Sequence, residues 1–128
     1  MKKKYKAMVL SCMDPRFQTP VYNFLKKKNL SGKYSLFTIA GAAVGVTHVK
    51  FKKWHSAFLD NLSASIKLHG ITRLIIINHE DCGAIKIAEG KKIFKEEIIH
   101  KSSFHKLKKI VLKKFPKLKL EFHIMKLN

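Results

Sequence analysis

Leu74-Ile75-Ile76-Ile77-Asn78-His79-Glu80-Asp81-Cys82-Gly83-Ala84 is the stretch on which the fold turns. Four consecutive large aliphatic residues without polar alternation mark a strand buried on both faces. The run is too short for a buried helix and stops abruptly at polar residues. Just beyond it stand a histidine and a cysteine separated by two residues, then a glycine. Imidazole and thiolate at that spacing can reach one ion from a single turn, and Zn²⁺ prefers such nitrogen and sulfur donors. The other cysteine, Cys12, also follows an apolar run, Ala7-Met8-Val9-Leu10-Ser11. If the two strands are neighbours in a parallel sheet, their carboxyl ends bring Cys12, His79 and Cys82 together.

The rest of the chain alternates strand and helix around this pair. Tyr5 to Ser11 reads as the first strand. Cys12-Met13-Asp14-Pro15-Arg16 is its exit loop, where Pro15 cannot continue a ladder. Thr19-Pro20 reads as an N-cap and first-turn proline of a helix ending near Lys28. Tyr34 to Ala40 is a second strand, followed by the small, flexible Gly41-Ala42-Ala43-Val44-Gly45, where backbone can approach a ligand. His48 to His69 has the apolar spacing of one long helix, with Phe51, Trp54, Phe58, Leu62 and Ile66 on its buried side and Gly70 closing it. Ile71 to Ile77 is the third strand. A short helix from Gly83 to Glu89 and a long one from about Phe94 to Phe115 precede a last strand, Leu118 to Leu127, with one face buried. The pattern predicts an α/β fold: a Rossmann-like parallel sheet of about four strands, order 2-1-3-4, flanked by helices. In such sheets ligands sit at the strands' carboxyl ends where the order reverses, which is where the three donors fall.

Three protein ligands leave a fourth tetrahedral position, as in catalytic rather than closed structural zinc sites. Water held there ionises near a pH of about 7. Asp14 has two options: to fill that position as a possible fourth ligand in a closed state, or to pair with Arg16 and accept a hydrogen bond from the bound hydroxide. The spacing from Cys12 to Arg16 is too short for the C-x5-R phosphate loop of cysteine phosphatases.

At 128 residues the chain is expected to form a single domain over 1–128, and an apolar content of 46% argues against disorder. No apolar run approaches ~18 residues, so no membrane association is expected. Met1-Lys2-Lys3-Lys4 has the charge of a signal peptide's start but not its apolar core or cleavage site, so the expected location is cytoplasmic, with both cysteines reduced. The formal net charge of +19 raises nucleic acid or another anion as a partner. Only Arg16 and Arg73 are arginine, however, and lysine is scattered through every segment, which fits solvated faces better than a nucleic-acid site.

Taken together, Cys12-x-Asp14-x-Arg16 and His79-x-x-Cys82-Gly83-Ala84 resemble, in a short and divergent form, the β-class carbonic anhydrases. Ala40-Gly41 is similar to that family's Ala-Gly segment, although Thr38-Ile39 stand where Arg-Asn is usual. The resemblance implies one Zn²⁺ per chain on Cys12, His79 and Cys82, with Asp14 and Arg16 as the gating and orienting catalytic pair. It also implies substrate contacts at Ala40, Gly41 and Gly83, and a homodimer or higher homo-oligomer with active sites near the interface. The implied reaction is reversible hydration of carbon dioxide to bicarbonate by zinc-bound hydroxide. Other readings on the same scaffold are a COS or CS2 hydrolase and a catalytically lapsed protein binding zinc, anions or nucleic acid. A structural thiol pair in an ordinary α/β domain is the bland one. None of His48, His55, His69, His100, His105 and His123 stands out as a proton shuttle.

Overall fold

The computed structural model describes residues 4–92 and 94–127; the basic lead-in at Met1, Lys2 and Lys3 lies outside them. Strands β1 (Ala7–Ser11), β2 (Tyr34–Thr38), β3 (Arg73–His79) and β4 (Lys119–Met125) form one parallel sheet in the order β2-β1-β3-β4. This is the α/β fold and strand order that the sequence predicts. Helices α1 (Gln18–Lys27), α2 (Ala43–Thr47), α3 (His55–His69), α4 (Gly83–Glu89) and α5 (Glu96–Lys114) make the connections.

Because side chains alternate along a strand, the two central strands divide their residues between two cores. Met8, Leu10, Leu74 and Ile76 face Phe58 and Leu62 of α3 and Leu107 and Val111 of α5. Ala7, Val9, Ile75 and Ile77 face Val21 and Leu25 of α1, together with Phe17. Every one of the strand residues is almost fully buried, which is why the sequence shows no polar alternation there.

Besides a β1 that begins at Ala7 and a β2 that ends at Thr38, each two residues short of the expected strand, the structure departs from the sequence reading in four places. The expected helix from His48 to His69 is interrupted: His48 is extended (ψ 136°), Val49–Trp54 is a 3-10 segment, and α3 starts at His55. A spacing of three residues suits 3-10 and α geometry alike, so Phe51 and Trp54 could not reveal the break; their rings stack at 4.6 Å. Helix α1 starts at Gln18, not at the Thr19-Pro20 cap, because Asp14 caps a preceding 3-10 turn, Pro15–Phe17, by accepting the Arg16 N–H. Strand β3 runs to His79, since β4 pairs with it up to Met125, so Asn78 and His79 belong to the strand. Strand β4, at the sheet's edge, is half-buried from Leu120 onward, where burial of one face was expected. Among the described residues no helix is long and apolar enough to cross a membrane.

Glu121 ties three elements. Its carboxylate accepts from Arg73 of β3 at 3.0 Å and pairs with Lys28, at the end of α1, at 3.1 Å. Partial burial pushes this carboxyl up, but the bonds from Lys28 and Arg73 outweigh it and hold the group below its ordinary 4.5. A depressed folded-state value means stability that is present above the ordinary value and lost as pH falls below it. Glu121→Gln should therefore cost about 1 kcal/mol at neutral pH. In urea unfolding, the gap between parent and variant should close as pH drops below 4.5.

Gly45 has no room for a side chain, because a Cβ there would collide with the Ala40 carbonyl oxygen, whereas a Cβ on Gly83 meets nothing within 4 Å. Gly45→Ala should lower stability by about 1–3 kcal/mol through overpacking. Gly83→Ala should leave the thermal midpoint nearly unchanged.

Candidate metal centre

Strands β1 and β3 pair with Ser11 beside Ile77. The next residue on one strand is Cys12, and two further on the other is His79. The loop after β3 then turns back so that Cys82, at the N-cap of α4, closes the group. The ligand atoms of Cys12, His79 and Cys82 all lie within 4.8 Å of one another, and all three residues are buried. The structure thus brings together the three donors that the sequence singles out.

The donor chemistry suits a thiophilic metal ion. His79 Nδ1 lies 2.7 Å from the Glu80 carbonyl oxygen, which can only accept, so in the neutral ring Nδ1 carries the proton and Nε2 keeps its lone pair. That Nε2 is buried and has no hydrogen-bond partner, a costly state unless something else is bound there. Phe17 stacks on the ring at 4.2 Å and fixes its plane. The Gly41 N–H donates to Cys12 Sγ at 3.3 Å. Hydrogen bonding from the Cys82 thiol pulls the Cys12 thiol well down against the effect of burial, with His79 and the Gly41 N–H adding to it. Cys82 is pushed up by the same interaction and by burial. Burial lowers His79, but Cys12 and the Glu80 carbonyl outweigh it and raise the imidazole. The sulfurs and the imidazole thus compete for protons in a space where a cation would satisfy all three.

Asp14 and Arg16 form the pair that their spacing implies. Asp14 Oδ2 accepts from Arg16 Nη2 at 2.8 Å, and Oδ1 accepts from Nε at 3.1 Å and from the Arg16 backbone N–H at 2.9 Å. Arg16 chiefly holds this carboxyl down, at about 2. Asp14 Oδ2 is also 3.7 Å from His79 Nε2. Arg16 continues to Asp81, donating to Oδ2 at 3.0 Å and to the backbone carbonyl at 2.9 Å. One guanidinium therefore clamps the loop after β1 to the loop after β3.

A cleft of about 470 Å³ opens beside these residues, lined by Cys12, Asp14, Ala40, Gly83 and the exposed apolar side chains of Met13 and Ile87. Ala40 and Gly83 border it. Gly41 is not among its lining residues; with φ +82° and a Cβ position only 2.9 Å from Ala84, it delivers its N–H to the sulfur. Among the described residues no histidine lines the cleft, and of the three donors only Cys12 does.

Four supporting residues escaped sequence reasoning. Gln18 Nε2 donates to the carbonyls of Cys12 and Asp14 at 3.0 and 2.8 Å, and Phe17 stacks as described. Asn78, buried in β3, accepts from the Ala43 N–H at 3.0 Å and reaches His100 Nδ1 at 2.8 Å, wiring the strand to α2 and α5. Glu96 accepts from the backbone of the Cys82 loop. Only Asn78 left a local sign, a lone amide ending an aliphatic run.

The chain is 26% identical over 125 residues to an uncharacterized protein of Rickettsia conorii, covering 94% of this chain and 67% of that one. It is 29% identical over 125 residues to an uncharacterized protein of Rickettsia bellii, covering 94% and 76%. A family model described as "Putative carbonic anhydrase" matches residues 1–116, and the chain belongs to that family.

Proposed function

We propose that the protein is a carbonic anhydrase, catalysing the reversible hydration of carbon dioxide to bicarbonate with one Zn²⁺ per chain. The observation that carries this reading is the buried trio of Cys12, His79 and Cys82, with the His79 Nε2 left without a hydrogen-bond partner and Cys12 lining a small cleft. Cys12, His79 and Cys82 would hold the ion, which, when bound, supplies a Lewis acid that brings the ionisation of water near neutral pH. Three donors satisfy a tetrahedral ion only in part, leaving one position for a small molecule.

The remaining roles fall to groups around the cleft. Asp14 is ionised at neutral pH and fixed by Arg16, so it can accept a hydrogen bond from a water or bicarbonate hydroxyl and orient it. The walls contributed by Ala40, Gly83, Met13 and Ile87 offer an apolar surface suited to a linear, weakly polar substrate such as carbon dioxide. Arg16 holds Asp14 and the Asp81 turn in register. A homodimer or larger homo-oligomer belongs to the same proposal, and the exposed apolar Met13 and Ile87 at the cleft support it. So does a reducing, cytoplasmic setting, in which two thiol ligands persist.

Elemental analysis of the parent is expected to give about one zinc per chain, and stopped-flow assays to show carbon dioxide hydration. Cys82→Ser and His79→Ala should lose the metal, and hydration should fall by about 100-fold or more. A parent that stays zinc-free after reloading under reducing conditions would overturn the proposal. Asp14→Ala should keep zinc but slow turnover by about 10–100-fold, because the orienting acceptor is gone. Arg16→Lys should do similar damage, since an ammonium cannot reproduce the fork that reaches Asp14 and Asp81 together. Zinc content and kcat measured on the same preparations separate these two classes of variant.

A further inference from the structure

We propose that Glu96 is a positioning residue that holds Cys82 in its ligating place. This inference rests on the metal-site reading above. Glu96 is the first residue of α5, and its carboxylate grips the loop after β3 with both oxygens. Oε1 accepts the Cys82 N–H at 2.7 Å and Oε2 accepts the Asp81 N–H at 3.0 Å.

The loop needs such an anchor. Asp81 has φ +57°, the left-handed region that non-glycine residues seldom occupy. That conformation can turn consecutive N–H groups to one side, making a concave cradle for an anion. Here the anion is the protein's own carboxylate. Arg16 and Lys86 also reach Asp81, Arg16 through both its side chain and its carbonyl, but these groups are about half exposed (45% at Arg16 and Asp81, 61% at Lys86). Such pairs contribute little in water.

Glu96 stands on a firm support. Helix α5 buries Leu107 and Val111 in the core, and its His100 and Ser103 meet Asn78 of β3, the residue before His79. Helix α5 thus holds the Cys82 loop through Glu96 and the end of β3 through His100 and Ser103. A sulfur ligand tolerates only small displacements from its bond length to the metal. Loss of an outer partner to a ligand typically weakens metal binding by 10–100-fold.

Glu96→Gln keeps the size of the side chain but replaces one acceptor oxygen with an NH₂ group that faces an N–H donor. Glu97→Gln is the control: it makes the same charge change one residue away, on a side chain that is 73% exposed and paired with Lys101. Metal-free parent and both variants would be titrated with Co²⁺. The expected result is about tenfold or more weaker binding in E96Q, with an altered thiolate-to-cobalt absorption band, and no change in E97Q. The second readout uses no metal: on a Cys12→Ser background, the reaction of Cys82 with a thiol reagent should be several-fold faster in E96Q than in its parent. Equal Co²⁺ affinity and equal thiol rates would overturn the assignment. If the parent takes up no Co²⁺, the metal reading falls, and the thiol rates alone decide: unequal rates support Glu96 as the loop's anchor, and equal rates overturn it. Should E96Q fail to fold, Glu96→Asp, with both oxygens but a shorter reach, takes its place with the same expectations.

Discussion

The register of β1 against β3 is the constraint on which the site depends. With Ser11 beside Ile77, even-numbered residues of β1 and β3 share one face and odd-numbered residues the other. A slip of one residue would exchange these sets, driving core residues of one face into the other. The register is therefore enforced by two buried cores at once. The same alternation sends Asn78 toward α2 and α5 and His79 toward Phe17, so the imidazole is stacked on one side of the sheet while its neighbour anchors helices on the other. Packing energy spent on aliphatic side chains thus fixes the position of polar ones.

What could be read from the sequence, and what could not, divides along physical lines. Uninterrupted aliphatic runs have one economical explanation, a parallel strand buried on both faces, and two such runs ending in metal-ligand residue types imply their own adjacency. Hence the strand order and the grouping of Cys12, His79 and Cys82 were legible. The break at His48 was not, because it is set by the His48 ring accepting from the Lys50 N–H and by a ring stack, and neither alters the apolar spacing. Gln18 and Glu96 were invisible for a different reason: each satisfies backbone groups elsewhere, and any backbone N–H or carbonyl looks alike in sequence. Gly41 was identified as a place of close approach, but its N–H serves a sulfur, and the flexibility argument could not name which partner it meets.

Charge distribution gives the site a second kind of definition. The chain carries 27 basic and 8 acidic residues. Four of the acidic ones, Asp14, Glu80, Asp81 and Glu96, belong to the loops and supports around Cys12, His79 and Cys82. Asp14 and Asp81 hold Arg16 between them, Glu80 accepts the Leu127 N–H, and Glu96 takes the two loop amides. In a protein with so many cations on its surface, carboxylates are concentrated where backbone turns need fixed acceptors. Two of these loops would otherwise present unpaired N–H groups beside a buried cluster, at a cost comparable to a lost hydrogen bond for each.

Two buried imidazoles show how such local partners decide chemistry. His79 and His100 are each 2% exposed, and each leaves Nε2 without a hydrogen-bond partner. For His79 the other nitrogen faces a carbonyl oxygen, so it must donate, and in the neutral ring Nε2 is left as a bare lone pair. For His100 the other nitrogen faces the Asn78 amide NH₂, whose orientation is fixed because Asn78 Oδ1 accepts from the Ala43 N–H. That nitrogen must accept, so His100 Nε2 carries the proton and points a donor, 3.7 Å from Glu96 Oε1. Burial holds His100 down, which keeps it neutral and this tautomer in place. The same side chain, equally buried, thus offers a lone pair at one position and a proton at the other, and the difference lies in whether its neighbour is a carbonyl or an amide.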